Sequence, residues 1–327
     1  MAILVTGGAG YIGSQMVLAL LAAGETPVVL DNLATGFAEA VPDEAVLVVG
    51  DIADGDTVRA IIRDHRVDTV IHFAGSLLVA DSVVDPLNYY QNNTAATIGL
   101  IQTAINAGVD KFVFSSTAAV YGAPLDNPIR EEAPARPVSP YGSSKAMSEA
   151  VLVDCEKAYG LRSVSLRYFN VAGADPSTLN GPRTSDPTHL IRVACQVALG
   201  YRPLISVFGT DYPTPDGTCI RDYIHVSDLV GAHMSALAYL RQGAKSIALN
   251  CGYGRGYSVL DVIDAVRRIS GRDLPVQFSQ RRPGDPPILI ADVTQIRDVL
   301  GWEPQFANLD VIVSHALAWE KARSACP

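Results

Sequence analysis

The chain has 327 residues, 48% hydrophobic and 18% charged, with a formal net charge of −9. That length and apolar content suit one large core or a large and a smaller lobe, and the acidic balance argues against a nucleic-acid surface. No apolar run reaches the roughly 18 residues that span a bilayer, and with no basic stretch followed by an apolar one near residue 1, export is not expected. The five cysteines are odd in number, widely spaced and without a C-x-x-C, so neither a disulfide framework nor a metal site is expected, and a reducing cytoplasm is the expected compartment.

Ile3-Leu4-Val5 reads as a buried parallel strand. Thr6-Gly7-Gly8-Ala9-Gly10-Tyr11-Ile12-Gly13 follows, with Gly7, Gly10 and Gly13 in the spacing G-x-x-G-x-x-G that lets backbone amides approach a pyrophosphate at a helix N-terminus. The apolar face of Met16, Val17, Leu20 and Leu21 predicts a helix from Ile12 to Ala23, stopped at Gly24. A second strand, Val28–Leu30, ends in Asp31, where an acid accepts from the adenosine ribose hydroxyls and repels a 2′-phosphate. No basic residue stands among the next five positions, so the cofactor is read as NAD rather than NADP.

Strands are expected at Val46–Val49 and Thr69–Phe73, separated by a helix from Asp54 to His65. Strand C-termini face the ligand crevice, which puts Asp51 and Ile52 beside an adenine and Phe73, Ala74 and Gly75 beside the pyrophosphate. Pro86 to Ala107 reads as one long helix, and Lys111–Thr117 as a strand ending in three hydroxyl residues. Pro140 suits the first turn of a helix in which Tyr141 and Lys145, four residues apart, share a face. An adjacent ammonium favours a phenolate, and lowering the phenol from about 10 to about 7 corresponds to about 4 kcal/mol. With a further strand at Leu161–Leu166, the alternation predicts an α/β protein with a doubly wound, Rossmann-type sheet of six or seven parallel strands. Residues 1–170 would form the NAD-binding domain. Residues 171–327, richer in Pro and Gly, would form mainly a smaller substrate lobe, with some segments returning to the first domain.

Together with Asp31-Asn32-Leu33, Gly50-Asp51-Ile52, His72-Phe73-Ala74-Gly75, Ser115-Ser116-Thr117, Val120-Tyr121-Gly122, Ser139-Pro140-Tyr141, Arg167-Tyr168-Phe169-Asn170 and Arg221-Asp222-Tyr223-Ile224-His225-Val226, the glycine loop resembles the UDP-glucose 4-epimerase family of the extended short-chain dehydrogenase/reductase superfamily. The resemblance spans nearly the whole chain. Asp211–Thr218 and Arg281-Arg282-Pro283-Gly284-Asp285 are similar to epimerases in particular. Dehydratase relatives carry an Asp-Glu pair after the active-site threonine, whereas Ala118 and Ala119 stand here and transfer no protons.

The resemblance implies that Tyr141 removes the proton of the sugar 4-hydroxyl while carbon 4 gives hydride to NAD⁺. Thr117 would bond the same oxygen, Lys145 would hold the nicotinamide ribose, and the hydride would return to the opposite face of a rotated 4-keto sugar. It also implies cofactor contacts from Tyr11, Ile12, Asn32, Thr35, Gly36, Asn92, Ser115 and Tyr168. For the UDP-sugar it implies Asn170, His189, Leu190, Ser206, Val207, Phe208, Arg221, Arg282, Asp285 and Leu289. The arginines suit the diphosphate and Asp285 the uridine ribose. His72, His225 and His233 are expected to be structural. Three departures stand out: Leu77 replaces a lysine that several family members place near the cofactor, Thr117 replaces a serine, and Leu289 occupies the position that gates N-acetyl sugars. Helices around Pro86–Ala107 and Pro140–Tyr159 resemble those that pair in family homodimers. Epimerisation of other UDP-sugars (N-acetylhexosamine, pentose or uronate), decarboxylation and net dehydrogenation stay open on sequence alone.

Overall fold

The computed structural model describes all residues except Leu125, Ser185, Asp186, Pro283, Cys326 and Pro327, and describes only the backbone of Ser324 and Ala325. Pro283 of the 281–285 motif and the fifth cysteine therefore lie outside the described residues.

The strands are β1 (Ala2–Thr6), β2 (Thr26–Asp31), β3 (Val46–Val49), β4 (Val67–His72), β5 (Lys111–Thr117), β6 (Arg162–Tyr168), β7 (Asn170–Ala172), β8 (Ile205–Phe208), β9 (Ile220–His225), β10 (Ile247–Cys251), β11 (Gly256–Ser258), β12 (Val276–Ser279) and β13 (Ile288–Leu289). Seven of them form one parallel sheet in the order β10-β6-β5-β4-β1-β2-β3. The chain winds outward from β1 to β3 and then returns to lay β4 on the other side of β1. Strand order reverses there, and the crevice outside the carboxyl ends of β1 and β4 is where such sheets bind ligands. The last strand of this sheet, β10, comes from the second half of the sequence.

Alternation explains the two-sided core. Ile3, Val5, Val29, Ile71 and Val113 enter one buried cluster, while their neighbours Leu4, Val28, Leu30, Val70, Phe112 and Phe114 enter the other. Period-2 side chains on a sheet covered on both faces leave no solvated side, so the strands read as continuous apolar runs. Each large side chain buried this way stabilises the fold by about 1.5–3 kcal/mol.

Covering helices include α1 (Tyr11–Ala22), α2 (Gly55–His65), α3 (Val79–Val84), α4 (Pro86–Tyr90), α5 (Ala96–Asn106), α6 (Pro140–Tyr159), α7 (Leu190–Ala198), α8 (Val226–Arg241), α9 (Val259–Ser270), α10 (Thr294–Leu300) and α11 (Leu309–Ala325). Helix α6 spans the bounds expected from sequence. Ser139 caps it through Gly142 N, Pro140 occupies its first turn, and Gly160 ends it in the left-handed region.

The stretch expected as one helix from Pro86 to Ala107 is instead divided by a wider turn, Gln91–Ala95, wound as a π-helix. Asn93 accounts for it. The widened turn carries this side chain, 1% exposed, with Oδ1 on Ser76 N at 2.7 Å and Nδ2 on Ser76 O at 2.8 Å and Ser144 Oγ at 3.2 Å.

The smaller part of the structure is built on two short sheets. Strand β9 pairs with β11, β13 and β7, and β8 pairs in parallel with β12.

Candidate active site

The glycine loop follows β1 directly and turns into α1. A Cβ on Gly13 would lie 2.1 Å from Gly7 O, and one on Gly7, whose φ is +71°, would lie 2.6 Å from Ala74 N. Larger residues would therefore force β1, α1 and the end of β4 apart. Gly10 caps α1 with no side-chain bond and no acid lies in its first turn, so its orphan amides and positive dipole end remain available to an anion. Asp31, at the end of β2, is 8% exposed and accepts from Ala9 N and Leu33 N, both at 2.9 Å. Asn32 reaches Asp51 at 3.0 Å, joining the ends of β2 and β3. Gly36 closes against Asp31 and Ala9, Thr35 is exposed beside it, and Ile52 is buried. A pyrophosphate cradle with a carboxylate at the next strand end fits a dinucleotide of the NAD type.

Parts of the second half brace this loop. Tyr11 donates to Gly173 O at 2.7 Å, and Asn180 to Ser14 Oγ at 2.8 Å. Ile12 packs against the core beside it.

At the end of β5 the hydroxyl side chains diverge. Ser115 bonds the Tyr168 hydroxyl, Ser116 points the other way to Glu149, and Thr117, whose Oγ1 accepts from Ala119 N at 3.1 Å, favours ionisation of the Tyr141 phenol. Lys145 is 5% exposed and donates to Ser115 O at 3.0 Å, with its ammonium 4.9 Å from the centre of the Phe114 ring. A Cβ on Gly75 would lie 3.7 Å from Lys145 Nζ and 2.9 Å from Asn93 Oδ1, so this glycine, at φ +153°, joins the glycine-loop crevice to the face of α6 that carries Lys145. Asn92 meets Ser76 Oγ at 2.9 Å, Phe73 packs on His233, and Ala74 lies over Gly7.

The electrostatics depart from the sequence expectation. Burial raises the Tyr141 phenol above its ordinary value, the Thr117 hydrogen bond opposes that shift, and the Lys145 ammonium is turned to a backbone carbonyl. Lys145 is itself pushed down from 10.5 to about 8 by burial, against the pull of Glu149. In a dry site the cost of charging a group outweighs the attraction of a cation that is already engaged.

The second cluster of expected residues surrounds β9. Arg221 lies at 3.7 Å from the Asp285 carboxylate and donates to Ile220 O at 2.9 Å. Leu289 pairs with it across β9 and β13. Arg282 stacks on the Phe208 ring at 4.0 Å, beside half-buried Ser206. Val207 is fully buried in the core, leaving only its backbone for a ligand. Asn170 begins β7 opposite Tyr223, while His189 precedes Leu190 at the start of α7 with its side chain exposed.

Neighbouring Asp222, 0% exposed, accepts from Tyr253 N and Gly254 N, each at 2.9 Å, and from Ala291 N at 3.3 Å, pinning two segments behind Arg221. Burial raises its carboxyl to about 6.

His72, His225 and His233 are fully buried and bonded to Thr6 and Thr97, to His315, and to Leu229 O respectively. Among the described residues no group of three or more His, Cys, Asp or Glu side chains could hold a metal. Sequence reasoning assigned no role to Asn93, Ser116, Glu149 or Asp222, although Glu149 repeats the four-residue spacing of Tyr141 and Lys145.

A profile of the NAD dependent epimerase/dehydratase family matches residues 3–252. The chain is 57% identical over 320 residues to a UDP-glucose 4-epimerase of Azospirillum brasilense, covering 98% of this chain and 92% of that one. Its structure matches that of a UDP-glucose-4-epimerase from Stenotrophomonas maltophila with bound NAD and formylated UDP-arabinopyranose at a TM-score of 0.96, with 38% identity and 100% of both chains covered. A UDP-glucose 4-epimerase from Brucella ovis in complex with NAD matches at a TM-score of 0.94, with 42% identity over 97% of each chain.

Proposed function

The chain belongs to the NAD dependent epimerase/dehydratase family, and from that premise we propose that it is an NAD-dependent enzyme interconverting UDP-glucose and UDP-galactose. The observation that carries this reading is the end of β5. Thr117 there lowers the cost of ionising the Tyr141 phenol, Lys145 is tied to the same strand, and the two residues after Thr117 are alanines whose side chains can neither donate nor accept a proton. A sugar oxidised at carbon 4 in such a site has no local acid and base for elimination, which leaves return of the hydride as the open course.

Gly7, Gly10 and Gly13 would hold the pyrophosphate of NAD, Asp31 the adenosine ribose, and Lys145 the nicotinamide ribose. When bound, NAD supplies a reversible hydride acceptor whose positive charge also favours a phenolate nearby. Tyr141 takes the proton of the 4-hydroxyl and later restores it, and Thr117 keeps that oxygen aligned. Burial works against ionising Tyr141, so base strength arises only with the charged cofactor in place and Lys145 redirected to its ribose. Arg221 and Arg282 grip the diphosphate and Asp285 the uridine ribose. A firm hold on UDP with few bonds to the sugar lets the ketone turn over between the two hydride transfers.

Two lobes organise this work: residues 1–170 with β10 for the cofactor, and most of 171–327 for the UDP-sugar. The protein acts as a homodimer through α4–α6, on which Leu87 is 78% exposed, Met147 48%, Val153 47% and Ile98 41%. Light scattering should give twice 34.7 kDa. Four described cysteines are free thiols, consistent with a cytoplasmic setting.

Incubation with UDP-galactose, UDP-N-acetylgalactosamine, UDP-xylose and UDP-glucuronate separately, without added cofactor, tests the reading. UDP-galactose should give UDP-glucose with no net NADH. Carbon dioxide release or stoichiometric NADH would assign a different reaction.

A further inference from the structure

Tyr141, Lys145 and Glu149 follow one another at four-residue intervals along α6 and so share a face. Glu149 is 8% exposed, and Arg167 of β6 forks onto it with Nε at 3.0 and 3.1 Å from the two carboxylate oxygens and Nη2 at 2.6 Å. The remaining guanidinium nitrogen reaches the Tyr121 hydroxyl at 2.9 Å and Glu131 O at 3.1 Å. Ser116 donates to the same carboxylate. A buried ion pair is weak grounds for stability, because apolar residues of the same shape often serve as well. Its location gives it another use. Ser116 lies between Ser115, whose carbonyl receives Lys145, and Thr117, which meets Tyr141. The carboxylate thus ties α6 to the strand midway between the two contacts that set the catalytic geometry.

It is also the acidic group that opposes the burial of the Lys145 charge. The other groups facing Lys145 are the Phe114 ring, Ser115 O and, from β4, His72, which burial keeps neutral. Those facing Glu149 are Arg167, Ser116 and, through Arg167, Tyr121. From this arrangement we propose that Glu149 is a positioning residue, clamped by Arg167 and Ser116, that holds the Lys145 face of α6 in register with the tip of β5 and sets a fixed negative charge one turn beyond the ammonium. The inference rests on the epimerase reading for its catalytic meaning, but not for its electrostatic content.

The test reads Lys145 directly, by NMR titration of ¹³Cε-labelled lysine in the NAD-bound protein, alongside the pH profile of kcat/KM for UDP-galactose. In Glu149→Gln the Lys145 titration and the alkaline limb should both move to lower pH by about half a unit or more, with Glu149→Asp moving them back. At pH 8 kcat should fall at least about twofold, the loss expected from a half-unit shift of a group titrating near 8, with KM changed less, since the substrate contacts are intact. Arg167→Gln frees the carboxylate from its cation and should move both curves to higher pH. It decides the matter if Glu149→Gln yields no soluble protein. An unmoved Lys145 titration in Glu149→Gln, or a downward one in Arg167→Gln, overturns the proposal. A wild type that shows the expected titrations but no turnover leaves the proposed electrostatics standing and sinks the epimerase reading.

Discussion

Replacing Lys145 with methionine should stabilise the fold while removing most of the activity. Burial lowers the Lys145 ammonium from 10.5 to about 8 in the nucleotide-free structure. One pKa unit corresponds to 1.36 kcal/mol, so the difference of about 2.5 units (10.5 − 8) makes the charged form cost about 3 kcal/mol at neutral pH. Between pH 8 and 10.5 the unfolded chain holds the proton that the folded chain has released, so wild-type stability rises with pH across that window. Below it the cost is present in full. Methionine keeps the stem without the charge. It loses the bond to Ser115 O, which offsets about 1 kcal/mol, so the variant should gain about 2 kcal/mol at pH 7. Urea unfolding of nucleotide-free wild type and Lys145→Met, with equal m-values, measures the gap at pH 7 and again at pH 10.5, where it should close or invert. A variant less stable than wild type at pH 7, or a gap that does not change with pH, would refute the reasoning.

Tyr141→Phe keeps the ring and removes the proposed base, so turnover should fall by about 10²–10⁴ with NAD still bound, and raising the pH should not restore it. More than about a tenth of wild-type turnover in steady-state assays would contradict the assignment. Asp31→Ala removes the acceptor at the end of β2, and calorimetry should show NAD affinity reduced at least about tenfold while binding of NADP is weakened less. Gly13→Ala drives a methyl group into Gly7 O, and protein purified with this change should release no NAD on denaturation. In wild type, kcat/KM should decline on the alkaline side as Lys145, whose proton burial loosens, is deprotonated, a limb absent from Lys145→Met.

The parallel sheet and the glycine loop were legible because their signals are local. Apolar runs such as Ile3-Leu4-Val5 are what a sheet buried on both faces requires, and Ser139, Pro140 and Gly160 mark both ends of α6 by their own conformational preferences. The division of the 86–107 helix was not legible, since nothing around Asn93 announces that its side chain finds the backbone of Ser76. Likewise the pairing of Tyr141 with Lys145 follows from spacing, but the direction of the ammonium toward Ser115 O depends on where β5 ends. Arg167 and Glu149 are brought together by β6 and α6 packing side by side, and Arg282 reaches the Phe208 ring only because of the loop that follows β12. Long-range partners of buried polar groups are set by tertiary packing, which periodicity does not encode.

The central claim is that carbon 4 of the sugar loses and regains the same hydrogen within one site. UDP-galactose carrying deuterium at carbon 4, turned over in ordinary water without added nucleotide, tests it by mass spectrometry and NMR of the UDP-glucose formed. The account predicts full retention of deuterium at carbon 4, a primary isotope effect on turnover, and no label on the NAD released afterwards by denaturing the substrate-free protein. Replacement of the deuterium by solvent hydrogen would mean that carbon 4 is deprotonated rather than oxidised, and would contradict it.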